Sequence, residues 1–119
     1  LRGLPLTKDL ADTALRDILR RHTKNITIDD IISRVAKAFN VKPADIKSKK
    51  KHKLYALPRQ VGMHIARELT EFSYPEIGAA FGGKDHSTVI YATRKIEKRL
   101  EEDHSLKNLI EGLKKDIRE

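Results

Sequence analysis

The sequence predicts an all-α fold: a small helical bundle that contains a helix-turn-helix and carries a connector helix at its N-terminal end. Three observations lead there. Apolar residues recur every three or four positions almost throughout, the period of a helix with one buried face. Alternating strand patterns are almost missing. Two amphipathic segments meet across Gly82-Gly83-Lys84, a connection of about three residues, as a helix-turn-helix requires.

The elements follow in order. Thr7 is an N-cap for a helix over about Lys8 to Arg21, with Leu10, Ala14, Ile18 and Leu19 at helical spacing and Arg16, Arg20 and Arg21 elsewhere on its surface. His22 to Asn25 reads as a linker. Thr27 opens a second helix, with Asp29 and Asp30 in the first turn, where acids suit the positive helix end. Its buried stripe is Ile28, Ile31, Ile32, Val35, Ala36 and Phe39. Pro43 starts a single turn that carries Ile46 inward. Lys47 to Lys53 lacks apolar periodicity. Pro58 reopens a helix at its first turn, with Val61, Ile65, Ala66 and Leu69 as the apolar face.

A short helix follows. Ser73 caps it, Pro75 lies in its first turn, and Glu76 completes a capping box. Ile77, Ala80 and Phe81 are its core contacts, and Gly82-Gly83 stops it. Asp85 caps a long helix with inner stripe Val89, Ala92, Ile96 and Leu100. Ser105 caps the last helix, which buries Leu106, Leu109, Ile110, Leu113 and Ile117.

Charge narrows the partners. The 119 residues carry 25 Lys+Arg against 17 Asp+Glu, a net charge of +8. An excess this large on a small domain suits a polyanion, either nucleic acid or an anionic membrane surface. No apolar run approaches the roughly 20 residues of a membrane span. Cysteine is absent, which excludes disulfides and zinc-thiolate sites. The opening Leu1-Arg2-Gly3 is neither an initiator methionine nor a signal peptide, so a fragment of a longer protein is expected.

The segment Ser73 to Ile96 carries the recognition chemistry. In a helix-turn-helix the first residues of the second helix touch base edges in the major groove. Here these are Asp85, His86, Ser87 and Thr88. Hydroxyls can donate or accept, a Thr methyl can pack on a thymine methyl, and Asp can accept from cytosine N4. Tyr91, Arg94, Lys95, Lys98 and Arg99 follow, where cations can meet phosphate. Two plainer readings stand beside this one. Asp85 serves as an N-cap in any protein, and the two helices can form an ordinary αα-hairpin.

The basic segment adds weight. Lys47, Lys49, Lys50, Lys51 and Lys53, with His52 among them and Arg59 soon after, are interrupted by no acid. An isolated lysine run is usually a solvated loop. This one leads into the turn motif, where it can cross a phosphate backbone or reach the adjacent minor groove, with strong salt dependence from counterion release.

These residues resemble a known family. Ile77 to Ile96, read without a gap, closely resembles the signature segment of the bacterial replication initiator DnaA. Leu57-Pro58-Arg59-Gln60, the basic loop before it, and the stretch Thr27 to Ile46 also look like DnaA. The resemblance covers about residue 27 to the C-terminus, and divides the chain into a connector (1–26) and a Trp-repressor-like DNA-binding domain (27–119). It implies binding of double-stranded DNA at the DnaA box, of the type TTATCCACA, in the origin of replication of a cytoplasmic chromosome. Asp85, His86, Ser87 and Thr88 would then make base or base-proximal contacts, and Lys51 would enter the minor groove. Lys50, Lys53, Arg59, Gln60, Arg67, Pro75, Lys84, Tyr91 and Lys95 would meet the backbone, Pro75 by presenting its neighbours' amides.

Three positions depart from the family's commoner pattern. Lys51 and Lys84 stand where Arg is usual, and lysine lacks the planar fork, which leaves minor-groove reading open to Lys50 or Lys53 as well. Tyr91 stands where His is often found. Residues 1–26 resemble the end of the ATPase lid and the connector helix, a region that the family ties to acidic phospholipid; an amphipathic helix there suits either lipid or packing on the domain.

No G-x-x-x-x-G-K-[ST] loop occurs, so no ATP binding is expected of this fragment, although the full-length family protein would use ATP. The five histidines show no metal spacing, and His64 and His104 read as structural. No catalytic set is expected: His86 and Ser87 are helical neighbours, whose side chains diverge by about 100°. The sequence therefore reads as a non-enzymatic DNA-binding domain, monomeric on a box that is not palindromic. A dimeric helix-turn-helix repressor and a basic membrane-surface or protein-interaction module are the alternatives.

Overall fold

The computed structural model describes residues 26–119, so the helix expected over Lys8 to Arg21 and its linker lie outside the described residues. Within them the chain forms α-helices and no strand. In α1 (Ile28–Phe39) the Thr27 hydroxyl accepts from the Asp30 amide at 3.1 Å, as the sequence predicts. The helix ends at Asn40, in the left-handed region at φ 57°, with its amide directed to the Ala36 and Lys37 carbonyls. Asparagine is one of the few residues besides glycine that takes this conformation readily. The stripe from Ile28 to Ala36 is buried, and Phe39 packs at its edge. α2 (Pro43–Lys47) is one short turn that places Ile46 in the core.

α3 (Lys53–Leu69) is central and packs against every other described helix. It starts at Lys53, well before the expected Pro58. The cause is His52, whose Nδ1 accepts from the Leu54 amide at 3.1 Å and caps a turn that shows no apolar period. Pro58 therefore lies inside the helix, where its missing N–H leaves the Leu54 carbonyl without a helical donor. Val61, Met63, Ile65 and Ala66 are fully buried. His64, which reads as structural from the sequence, is buried as well, with Nε2 unpartnered among the described residues.

α4 (Tyr74–Ala80) opens on a complete capping box: Glu76 N donates to Ser73 Oγ at 3.2 Å, and Ser73 N to Glu76 Oε1 at 2.9 Å. Phe81 fills the core beyond it, its ring against Gly62, where any Cβ would collide with it. α5 (His86–Leu100) buries Val89, Ala92 and Ile96 as predicted, and also Thr93, whose hydroxyl donates to the Ile90 carbonyl.

α6 (His104–Arg118) is capped by Asp103 and not by Ser105. Asp103 has the extended backbone that a cap needs, and its carboxylate accepts from Leu106 N at 2.9 Å; Ser105 is already within the first turn. Leu106, Ile110, Leu113 and Ile117 are buried, while Leu109 stands at 37 % exposure, off the stripe. Among the described residues no helix is long and apolar enough to cross a membrane.

Candidate nucleic-acid interface

The pair α4 and α5 meets across a turn that depends on glycine. Gly82 and Gly83 have φ of 91° and 77°, in the left-handed region where side chains are strained. Gly78 lies against the Lys84 carbonyl and the Val89 side chain, and its own carbonyl accepts from Lys84 N at 2.7 Å. A Cβ at Gly78 would push the two helices apart.

At the start of α5, Asp85, His86, Ser87 and Thr88 are all exposed. Asp85 is the N-cap by position, but its carboxylate caps nothing; it lies 3.4 Å from Ser87 Oγ. The plain reading of Asp85 as a capping side chain thus finds no hydrogen bond to support it.

The basic loop runs between α2 and α3. Ser48 and His52, at its two ends, both have extended backbone. Along an extended chain successive side chains alternate in direction. Lys49 and Lys51 face α5 across a shared cavity, whereas Lys50 turns the other way. Lys50 Nζ pairs with Asp45 Oδ1 at 3.0 Å and lies 5.1 Å from the Tyr55 ring centroid. That hydrogen bond lowers the Asp45 pKa and raises that of Lys50. Lys51 has no partner among the described residues and stands free in solvent.

The cavity has a volume of about 410 Å3. Lys49, Lys51, Arg59, Gln60, Lys84, Asp85, Thr88 and Tyr91 border it, over an apolar floor that includes Ala56, Met63 and Ala92. It unites residues of the basic loop, the first half of α3, the turn and the start of α5. Further out along α5, Ser87, Tyr91, Arg94, Lys95 and Lys98 line a second, shallower groove. Lys95 Nζ lies 5.7 Å from the Tyr91 ring there.

Other expected site residues are placed differently. Arg59 is only 9 % exposed; its Nε donates to the Ile46 carbonyl at 2.7 Å and Nη2 to the Asp45 carbonyl at 3.1 Å. Burial lowers its pKa, and the two carbonyls answer its charge. Lys84 also turns inward, its Nζ donating to the Ser48 carbonyl at 2.8 Å. Burial first, then the charges of Arg59 and Lys49, lower its pKa. Both side chains were expected on phosphate, and both are largely committed within the protein. Arg67 is exposed and stacks over the Tyr74 ring at 4.2 Å, away from the cavity. Near Pro75 the amides of Ser73 and Glu76 are already taken by the capping box. Lys53 is exposed at the start of α3.

The sequence reading left out Lys49 as a site residue, and the alternation of an extended segment was the signal that pairs it with Lys51. The apolar floor of Ala56, Met63 and Ala92 carried no such signal, because it is assembled from two helices. Among the described residues no cluster of His, Cys, Asp or Glu could hold a metal.

Comparison with known proteins shows the family. Residues 28–96 match the model of the family described as bacterial dnaA protein helix-turn-helix. The chain is 46 % identical over 117 residues to the chromosomal replication initiator protein DnaA of Geotalea uraniireducens, covering 98 % of this chain and 26 % of the relative. It is 44 % identical to that of Geobacter sulfurreducens, covering 98 % of this chain and 26 % of the relative. The chain thus spans about a quarter of the length of the relatives it matches. A crystal structure of a DNA replication initiation factor superposes with a TM-score of 0.69 at 34 % identity, covering 76 % of this chain and 27 % of that one.

Proposed function

The chain belongs to the bacterial DnaA helix-turn-helix family, and from that premise we propose that it binds double-stranded DNA in replication initiation by reading a DnaA box through two grooves at once. The observation that carries this reading is the cavity shared by Lys51 and Thr88. A duplex presents a wide major groove and a narrow minor groove, separated by one sugar-phosphate strand. A protein that reads both grooves from one side must leave room for that strand. The cavity, cationic at its rim and open between loop and helix, is where the strand would lie.

The exposed start of α5 then enters the major groove with Asp85, His86, Ser87 and Thr88, the first-turn residues from which base contacts are made in this motif. The Asp85 carboxylate, unused as a cap, is available to accept from a cytosine amine. Lys51, free of partners among the described residues, enters the minor groove, where A·T tracts deepen the negative potential. Gln60, Tyr91 and Lys95 meet phosphate on either side, and Arg67 does so beside α4. One protein binds each box, because the site is asymmetric.

Titration of the 119-residue chain against a DnaA-box duplex and a scrambled duplex, at two salt concentrations, tests the reading. Tighter binding of the box by at least about tenfold at moderate salt is expected, with affinity for both duplexes falling steeply as salt rises. Equal affinity for the two would overturn it.

A further inference from the structure

A short helix leaves its last carbonyls without partners, and something outside it must supply donors. In α2 the Asp45 carbonyl accepts locally from Ser48 Oγ at 2.6 Å and Ser48 N at 3.3 Å, and the rest of the need is met from afar. Arg59 takes the carbonyls of Asp45 and Ile46, and Lys84 takes those of Lys47, at 3.4 Å, and Ser48, at 2.8 Å. Four consecutive carbonyls are thus held by two cations, and Lys84 reaches across 36 residues of sequence to its nearer acceptor. Cations also suit the negative end of a helix. Gly82 completes the joint: it lies so close on the Lys47 carbonyl that a Cβ could not be accommodated.

The consequence concerns the basic loop. Every residue from Lys49 to His52 is exposed, so the loop has no core anchor of its own. Its exit from α2 is fastened to the turn that launches α5, one residue before Asp85. The geometry points to Lys84 as a positioning residue that fixes the basic loop against the entrance of the recognition helix, and so sets the register between minor-groove and major-groove reading. This rests on the two-groove reading above. A lysine serving phosphate would behave differently. It would leave base preference untouched, because phosphate contacts carry no sequence information. Lys84 is instead half-buried with its ammonium on backbone carbonyls, and desolvation by the joint lowers its pKa.

The test compares Lys84→Met, which keeps length without a donor, Lys84→Arg, which restores donors, and Lys51→Ala, in the 119-residue chain. Box duplexes altered at the A·T end, and others altered at pairs facing α5, report base preference. Lys84→Met should reduce the A·T-end preference about fivefold or more, the scale of one lost base-pair discrimination. It should leave preference at α5-facing pairs intact. Adding Lys51→Ala should then cost little more, and Lys84→Arg should recover the preference. A second measurement needs no DNA: amide exchange of Lys49 to Leu54 should quicken in Lys84→Met while α5 stays protected. If Lys84→Met keeps the A·T-end preference, or loses preference equally at all pairs, the positioning role is overturned. Unchanged loop exchange overturns it too. Should the unaltered chain fail to prefer the box at all, the two-groove reading falls, and the exchange measurement alone decides whether Lys84 holds the loop.

Discussion

The basic loop and the start of α5 border the same cavity, but they are held by different means. α5 has a fifteen-residue hydrogen-bonded ladder and a stripe of Val89, Ala92 and Ile96 driven into the core. The loop has neither. Its place depends on carbonyls gripped by Arg59 and Lys84, on the close approach of Gly82 to Lys47, and, more weakly because it is open to solvent, on the Lys50–Asp45 pair. The helix is positioned by burial, which is spread over many contacts. The loop is positioned by a few polar contacts that a single substitution can remove. Specificity from the helix should therefore be robust, and specificity from the loop fragile.

The largest effect that could break this comparison lies at the joint itself. Gly82 and Gly83 both have positive φ, but only Gly82 faces an obstructing carbonyl; a Cβ on Gly83 meets nothing within 4 Å. Gly83→Ala should cost about 1–2 kcal/mol, the strain of a left-handed alanine. Gly82→Ala should cost clearly more, because the turn must also part from Lys47. Denaturant unfolding of the two variants measures both. Equal losses would mean that the turn and loop are not interlocked.

Next in size is the pair proposed to read bases, Thr88 and His86. Thr88→Ala or His86→Ala should cost about 1–3 kcal/mol at particular base pairs and leave the salt dependence nearly unchanged. Lys51→Ala should weaken binding to every sequence, lower the salt slope by about 1, and flatten preference at the A·T end. Lys50→Ala, by contrast, removes a lysine already paired with Asp45, and should leave base preference alone. Binding isotherms over a salt series separate these outcomes. If Lys50 and Lys51 behave alike, the alternation along the loop has no functional meaning.

The smallest effect lies at the opposite side of the bundle. His64 is buried, and burial first, then the Lys114 charge, lower its pKa below the ordinary 6.5, against the opposing pull of Glu68, Glu97 and Glu111. The unfolded chain then binds the proton more readily than the folded one. Stability is therefore full above about pH 6.5 and declines as pH falls from there toward the folded value. His64→Leu, which removes both the titration and the unpartnered Nε2, should flatten stability between pH 6.5 and 5 without altering base preference. Unfolding curves at the two pH values check this; an unchanged slope in the variant would assign the acid sensitivity elsewhere.

Much of this was legible in the sequence, and the residues show why. Thr27, Ser73 and the stripes of α1 and α5 are local signals, written within one or two helical turns. The start of α3 was not legible, because His52 caps through a ring nitrogen and Pro58 imitates a helix start. Asp103 was passed over for Ser105, since a serine two residues on looks equally able to cap. Within the site, the exposed start of α5 followed from the motif. The inward turn of Arg59 and Lys84 did not, because their acceptors are backbone carbonyls 13 to 37 residues away. A lysine or arginine beside a basic loop reads as a phosphate ligand until the fold shows a carbonyl that needs it.

If loop and helix read different grooves of one site, inosine separates them. An inosine·cytosine pair looks like G·C in the major groove but, lacking the guanine amine, like A·T in the minor groove. Box duplexes would carry either I·C or G·C in place of single A·T pairs, and their affinities for the chain would be compared. I·C should be tolerated at the end proposed for Lys51, where G·C is not, and should be as harmful as G·C at pairs facing Thr88. If I·C and G·C are equally harmful at both ends, the loop is not in the minor groove and the two-groove reading is contradicted.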